Sequence, residues 1–174
     1  MNLAELKLLR LDENTEFKQF FCEDSDLNEF LMQDALKYSQ ELLATTFIVE
    51  NKNDTVAYFS LLNDSVNLKL KDKSARNKLN CAIPNVKRIN NYPAIKIGRL
   101  AVNERYASNH IGSQILTVIK QWFKPNKFSG CRFVIVDAYS TAVQFYEKNG
   151  FKFLTKEDEA EETRLMYFDL RKFL

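Results

Sequence analysis

The sequence predicts an α/β fold with a mixed sheet, organised as one domain over residues 1–174. Short segments rich in β-branched and aromatic residues are typical of strands, and segments with apolar residues at helical spacing follow several of them. The hydrophobic fraction of 45% and the aromatic fraction of 13% indicate a globular chain with an aromatic-rich core. No internal repeat, linker or low-complexity tract divides the chain, so one domain is expected.

The N-terminal half predicts five elements. Before residue 41 they are a strand over 3–11, a short helix over 16–23 and an amphipathic helix over about 25–40. Ser25 or Asp26 is the expected N-cap of that longer helix. Two strands, 45–50 and 55–62, flank the turn-forming residues 51–54 and predict a β-hairpin.

The middle of the chain is basic. Residues 64–92 contain seven Lys or Arg and two Asp, although the net charge of the whole chain is only +2. A short helix is expected around 74–79, and a loop around Pro84 and Pro93. The small net charge does not by itself indicate nucleic-acid binding.

The second half predicts two successive strand–helix units and two closing strands. The strands are 94–102 and 131–138, their helices are 111–123 and 140–150, and the closing strands are 151–156 and 163–170. Gly150 is the expected C-cap of the second helix.

Three cysteines at long spacings, Cys22, Cys81 and Cys131, indicate reduced thiols and no metal site. The N-terminus carries acidic residues early, and no apolar stretch approaches the length needed to span a bilayer. These observations predict a soluble cytoplasmic protein without a membrane partner.

The connection between strand 94–102 and the following helix predicts an anion site. A helix N-terminus offers unsatisfied backbone amides and a partial positive charge. Ser108 and Asn109 are capping residue types, and Gly112 leaves room for a close approach of phosphate groups. A glycine in such a loop is more often a turn or packing residue, so the anion site is one of two interpretations.

Tyr146, near the end of helix 140–150, also allows two interpretations. The ring can pack in the core while the hydroxyl bonds a carbonyl. Alternatively, the hydroxyl donates a proton to a departing thiolate, for which a phenol with an ordinary pKa of about 10 is a competent acid.

Taken in order, RLAV (99–102), IGSQIL (111–116) and FYEKNGF (145–151) resemble the GNAT acetyltransferase superfamily. The first two resemble its acetyl-CoA motif, and the third resembles its C-terminal helix and strand. The resemblance implies a central, mostly antiparallel sheet of about six or seven strands flanked by about four helices. It also implies acetyl-CoA as the donor and a primary amine as the acceptor.

The resemblance implies a role for particular residues. The backbone of Leu100, Ala101 and Val102 would pair with the pantetheine arm, and the Val102 amide would meet the oxyanion. Tyr146 would be the general acid. The pyrophosphate would be held by the backbone of Ala107, Ser108, Asn109, His110, Ile111, Gly112 and Ser113.

Three positions depart from the family pattern. Ala107 stands where the family usually has Arg or Gln, and His110 stands at its first glycine. The imidazole of His110 would crowd the phosphates, donate a hydrogen bond to one of them, or face solvent. Tyr139 replaces an Asn that often lies seven residues before the tyrosine, which puts a substrate role of that position in doubt.

No residue stands out as a general base. Glu50, Asp137 and Tyr139 are candidates, but Asp137 is more readily explained as a cap of the following helix. An α-amine with an ordinary pKa near 8 is partly neutral at physiological pH and needs no strong base, whereas a lysine side chain does. This favours an α-amine acceptor.

The N-terminal segment around Cys22, Leu27, Phe30 and Leu31 also resembles a subgroup of GNAT toxins that acetylate aminoacyl-tRNA and are neutralised by a small antitoxin protein. Residues 69–88 would then contact tRNA phosphates. A non-catalytic GNAT-like binding module is a further alternative, motivated by Ala107 and His110. Pairing of two copies through sheet edges is plausible by resemblance.

Overall fold

A computed structural model describes residues 6–67, 77, 79, 83, 90–107, 109–123, 130–156 and 158–173. The chain forms two compact units, the first from Met1–Leu62 and Ile97–Val118 and the second from Asn63–Lys96 and Ile119–Leu174. In the described part of the chain, no helix is long and apolar enough to cross a membrane.

Among the described residues, seven strands form one sheet in the order β1-β2-β3-β4-β5-β7-β6. They are β1 (Lys7–Arg10), β2 (Thr45–Glu50), β3 (Thr55–Asn67), β4 (Asn91–Val102), β5 (Phe133–Tyr139), β6 (Lys152–Phe153) and β7 (Thr163–Asp169). The pairs β1–β2, β2–β3, β5–β7 and β6–β7 are antiparallel, whereas β4 and β5 are parallel. The predicted mixed, mostly antiparallel sheet is therefore confirmed.

The α-helices of the described residues are α1 (Ser25–Glu29), α2 (Ala35–Gln40), α3 (Ile111–Trp122) and α4 (Val143–Lys148). A π-helical turn, Phe30–Asp34, joins α1 to α2, so the helical stretch predicted over 25–40 is present with a bulge in its middle. Short 3₁₀ turns cover Glu104–Tyr106, Ser140–Ala142 and Leu170–Phe173. The short helix predicted around 74–79 and the loop around Pro84 lie largely outside the described residues.

Residues 16–23 do not form the short helix that the sequence predicts. Their backbone bonds distant segments instead: the Gln19 carbonyl accepts from the Thr55 amide at 3.1 Å, and the Phe21 carbonyl accepts from the Glu104 amide at 2.9 Å. An extended backbone is needed for these bonds, so tertiary pairing overrides the local pattern.

Two further expectations need correction. The N-cap of α1 is Asp24, whose carboxylate accepts from the amides of Asp26 and Leu27, so neither Ser25 nor Asp26 is the cap. Pro93 lies within β4 and not in a loop. A proline is tolerated near the start of a strand because only its N–H is missing, and the Pro93 carbonyl still accepts from the Arg132 amide at 2.9 Å.

Each unit has its own core. In the first unit, helix residues Phe30, Leu31 and Ala35 pack with Ile48 and Tyr58 of the hairpin. In the second unit, the Phe133 ring meets the rings of Tyr92 and Tyr167 edge-on, at centroid distances of 6.1 and 5.8 Å. Both cores are rich in aromatic residues, as the composition predicts.

Candidate functional site

The last residues of β4 belong to the first unit. The parallel register of β4 with β5 consists of three pairs, of which Lys96↔Ile135 is the last along β4. Leu100, Ala101 and Val102 follow this pair. Ala101 is buried in the core of the first unit, and Leu100 and Val102 are half-buried. Their backbone is that of a regular strand, which is the conformation that pairing with an extended ligand requires.

The turn after β4 is fixed by Asn103, which is 2% exposed. Its side-chain amide donates to the Thr55 carbonyl at 3.0 Å, and its side-chain oxygen accepts from the Arg105 amide at 3.2 Å. The Asn103 carbonyl also accepts from the Tyr106 amide at 2.8 Å. The asparagine thus ties the 3₁₀ turn Glu104–Tyr106 to the start of β3.

Residues 107–113, for which the family resemblance predicts binding of the pyrophosphate, connect this turn to α3 and are here termed the phosphate loop. The Asn109 amide donates to the Tyr106 carbonyl at 3.1 Å, and the Gln114 amide donates to the His110 carbonyl at 3.1 Å as the first bond of the helix. Ala107, Asn109 and His110 are exposed, and Ser108 lies outside the described residues. The loop therefore ends in a helix N-terminus, as predicted.

The start of α3 has the features of an anion site. Ile111 and Gly112 are buried and Ser113 is half-buried. Within the described part of the chain, no acceptor bonds the amides of Ile111 and Gly112. Because the first amides of a helix point out of its end, these groups are suited to bind phosphate oxygens.

His110 has a φ of +56°, in the left-handed region that favours glycine. The position therefore keeps the backbone conformation that a glycine adopts without strain, although it carries an imidazole. The ring is exposed. At this position of the motif, histidine replaces glycine, but the backbone turn is one that glycine would adopt.

Tyr146 lies in the last turn of α4, in the second unit. The helix ends in a Schellman motif, in which the Gly150 amide donates to the Glu147 carbonyl at 2.9 Å and the Phe151 amide donates to the Tyr146 carbonyl at 3.0 Å. Gly150 has a φ of +82°. It follows the C-cap Asn149, one residue later than its predicted cap position implies. The backbone of Tyr146 is thus part of the bond that closes the helix.

Tyr146 is 6% exposed, and its ring lies edge-on to two phenylalanines, with centroid distances of 5.1 Å to Phe145 and 5.4 Å to Phe151. Burial raises the pKa of Tyr146, so the phenol is protonated at neutral pH. Among the described residues, no side chain or carbonyl forms a hydrogen bond with its hydroxyl.

A residue that the sequence pattern does not single out supports the same helix. Lys120, in α3, is 5% exposed and donates to the Asn149 carbonyl at 2.6 Å. Its ammonium also lies over the Phe168 ring, 4.4 Å from the centroid. A cation at a helix C-terminus interacts favourably with the helix dipole, and burial lowers the pKa of Lys120. In the sequence, only the position of Lys120 among the apolar residues of α3 could have indicated that this lysine is buried.

The three candidate bases are now placed. Glu50 pairs with Lys18 at 2.9 Å in the first unit. Asp137 does not cap a helix, since its carboxylate pairs with Lys96 at 2.5 Å and the 3₁₀ turn after β5 begins without a side-chain cap. Tyr139 is exposed at the end of β5. Both carboxylates are held by lysines, which leaves neither as an unpaired base.

Other expectations concern thiols, metals and partners. Cys22 and Cys131 are free thiols, and Cys81 lies outside the described residues. In the described ranges, no group of three or more His, Cys, Asp or Glu could hold a metal ion. Most of the basic segment 69–88 lies outside those ranges. Pairing of two copies and a small-molecule acceptor stay predictions.

Comparisons with known proteins identify the type of domain. Residues 76–172 match the family model of an acetyltransferase (GNAT) domain. No curated protein matches the sequence.

Similar solved structures cover nearly the whole chain. The toxin AtaT complexed with acetyl-methionyl-tRNAfMet has a TM-score of 0.77 and 19% identity, covering 97% of this chain and 96% of that chain. A tyrosine-to-phenylalanine mutant of AtaT, bound to the C-terminus of the antitoxin AtaR and acetyl-CoA, has a TM-score of 0.70 and 18% identity over 96% and 94%. A tyrosine-to-phenylalanine mutant of KacT has a TM-score of 0.74 and 18% identity over 97% and 96%. At these identities the likeness shows a shared fold.

Proposed function

The chain belongs to the GNAT acetyltransferase family, and we propose that it transfers the acetyl group of acetyl-CoA to the α-amino group of an aminoacyl-tRNA. The observation that carries the proposal is Tyr146. Its hydroxyl is protonated and bonds no described residue, a Schellman motif fixes its backbone, and the family resemblance gives this residue the role of general acid. A merely structural tyrosine would be expected to bond its hydroxyl to the protein.

The coenzyme is expected to lie against the first unit. Its pantetheine arm pairs with the backbone of Leu100, Ala101 and Val102, and its pyrophosphate accepts from the amides of the phosphate loop. The unbonded amides of Ile111 and Gly112 support this placement. The exposed Ala107 supplies no cation at its position, so the amides and the helix dipole are proposed to contribute more of the phosphate binding.

The reaction requires one proton to reach sulfur and one to leave nitrogen. The neutral amine attacks the thioester carbonyl, and the Val102 amide donates to the resulting oxyanion. As the carbon–sulfur bond breaks, the sulfur takes up a proton, and the family resemblance implies that Tyr146 is its donor. The proton that the nitrogen loses returns the phenolate to a phenol. With Glu50 and Asp137 paired to lysines, water is left to deprotonate the ammonium form before the attack, which suits an α-amine because part of it is already neutral at physiological pH.

An aminoacyl-tRNA acceptor is favoured over a free amine by the likeness of fold to AtaT, which was solved with acetyl-methionyl-tRNAfMet. The basic segment 69–88 is proposed to contact tRNA phosphates. A small antitoxin-like protein is proposed as a partner, because AtaT was also solved with the C-terminus of its antitoxin.

Replacement of Tyr146 by Phe tests the general acid. We expect turnover to fall by about 10²- to 10⁴-fold, the usual contribution of a general acid, while acetyl-CoA affinity stays within about twofold. Initial rates of CoA release and calorimetric titration with acetyl-CoA measure the two quantities. Tyr38→Phe is the matched control, since Tyr38 is an exposed tyrosine in α2. Unchanged turnover in Tyr146→Phe contradicts the assignment.

The acceptor is tested by offering the purified protein charged tRNAs, uncharged tRNA and free amino acids. We expect acetylation of charged tRNA alone, together with growth arrest of an expressing host that Tyr146→Phe relieves. Transfer to free amino acids only would replace the tRNA proposal with a small-molecule acceptor. Binding of acetyl-CoA without transfer to any amine would identify a non-catalytic module.

A further inference from the structure

A buried carboxylate joins the β2–β3 turn to the turn before the phosphate loop. Asp54 is 7% exposed, and its carboxylate accepts from the Tyr106 hydroxyl at 2.7 Å and from Arg105 at 3.2 Å. The side-chain amide of Asn51 donates to the same Tyr106 hydroxyl at 2.9 Å. The hydroxyl of Tyr106 is therefore both donor and acceptor, which fixes the ring.

The hairpin side of this network is itself rigid. The Asn51 side-chain oxygen accepts from the amides of Asn53 and Asp54, both at 2.8 Å, and closes the turn. Lys18 donates to the Asn51 carbonyl at 2.7 Å. Asp54 is thus held in a fixed position, and a substitution of Tyr106 is expected to change the phosphate loop and not the hairpin.

The loop side leads directly to the phosphate loop. The Tyr106 carbonyl accepts from the Asn109 amide at 3.1 Å and from the Asn109 side-chain amide at 3.4 Å. Asn109 precedes His110, whose φ of +56° turns the chain into α3. A residue in this backbone region persists when its surroundings determine it, and the bonds from Tyr106 supply that determination.

We propose that Tyr106 and Asp54 are positioning residues for the coenzyme, which act by fixing the backbone amides that meet its pyrophosphate. This inference rests on the proposed binding of acetyl-CoA by the phosphate loop. Neither residue is placed in contact with the coenzyme. Their effect passes from the Asp54 carboxylate through the ring and carbonyl of Tyr106 to Asn109.

The test uses two acetyl donors, acetyl-CoA and S-acetylpantetheine, which lacks the pyrophosphate and nucleotide. In Tyr106→Phe we expect kcat/KM for acetyl-CoA to fall about tenfold, the order expected for one hydrogen bond to a charged group. The loss should lie in KM, with kcat unchanged. For S-acetylpantetheine, kcat/KM should change by less than about twofold, because no phosphate needs the loop.

Variants at the other end of the bond separate charge from geometry. Asp54→Asn keeps an acceptor for the Tyr106 hydroxyl, so its kcat/KM for acetyl-CoA should fall less than that of Tyr106→Phe. In Asp54→Ala, kcat/KM for acetyl-CoA should fall about as much as in Tyr106→Phe. The double variant should show little further loss, because both substitutions break the same hydrogen bond. Tyr38→Phe is again the control, and thermal unfolding verifies that each variant is folded.

The outcomes distinguish this inference from the proposed function. If kcat/KM of Tyr106→Phe is unchanged for acetyl-CoA, or falls equally for both donors, the positioning role is overturned and acetyl-CoA-dependent transfer still stands. If the unaltered protein neither binds acetyl-CoA nor uses it, the proposed function is overturned and the positioning role with it.

Discussion

Two residues next to the proposed functional groups adopt the same left-handed backbone conformation, but one is a histidine and the other a glycine. His110 precedes α3 with a φ of +56°, and Gly150 follows α4 with a φ of +82°. At Gly150 a Cβ atom would lie 3.2 Å from the Phe168 ring, so both the conformation and the tight contact favour glycine. At His110 the side chain is exposed and only the conformation is unfavourable.

The difference shows two ways of holding a turn with a positive φ. Around Tyr146 the turn is intrinsically favourable, since glycine adopts it freely and aromatic rings pack against it. In the phosphate loop the turn is imposed by its neighbours through Asn109 and the first helical bond from Gln114. We therefore expect the first turn to be sensitive to its own residue and the second to be sensitive to its surroundings.

Gly150→Ala should give the larger effect. A left-handed conformation costs an L-residue about 1–2 kcal/mol, and the Phe168 ring must also move to admit the new methyl group. Each kcal/mol should lower the melting temperature by about 2–4 °C in a chain of this size. Thermal unfolding followed by circular dichroism measures the loss.

Gly130→Ala is the matched control, because a Cβ atom there would meet nothing within 4 Å and the residue is exposed. Its stability should stay the same or rise slightly through the unfolded state. Equal losses at positions 130 and 150 would contradict the role given to the positive φ of Gly150.

Lys120→Met tests how the buried ammonium at the end of α4 affects the free energy of unfolding at different pH values. Burial lowers the pKa of Lys120 below its unfolded value near 10.4. Below both values the buried charge costs stability, and in the window between them the unfolded chain binds more protons, so stability rises with pH. Urea unfolding should show that the stability of the unaltered protein relative to Lys120→Met increases from pH 7 toward pH 10. A difference that does not vary with pH would rule out this burial cost.

The regular elements of the second half could be predicted closely from the sequence. The apolar spacing of Ile111, Ile115 and Ile119 gives α3, and the apolar run before Asp137 gives β5. Local pattern and tertiary structure agree there. Residues 16–23 were predicted as a helix, but the carbonyls of Gln19 and Phe21 bond β3 and the turn after β4.

The candidate site was less predictable. Tyr146 and the phosphate loop follow from motifs along the chain, whereas Asp54 and Tyr106 meet across 52 positions. Asp137 has the residue type and place of a helix cap, yet it pairs with Lys96 on the neighbouring strand, which no local pattern indicates. Polar contacts between distant segments depend on register, and register is set by the whole sheet.

His110→Gly should have the smallest effect, because it relieves about 1–2 kcal/mol of backbone strain but loses about 0.5–1 kcal/mol through the entropy of glycine in the unfolded chain, so a net gain of about 1 kcal/mol or less is expected. His110→Ala keeps the strain, so its stability should stay near that of the unaltered protein and lie below that of His110→Gly by the same small amount. Acetyl-CoA affinity of His110→Ala then separates the three roles of the imidazole. A loss indicates a hydrogen bond to phosphate, a gain indicates crowding, and no change indicates a ring that faces solvent. Equal stability of the two variants would contradict the positive φ on which the comparison with Gly150 depends.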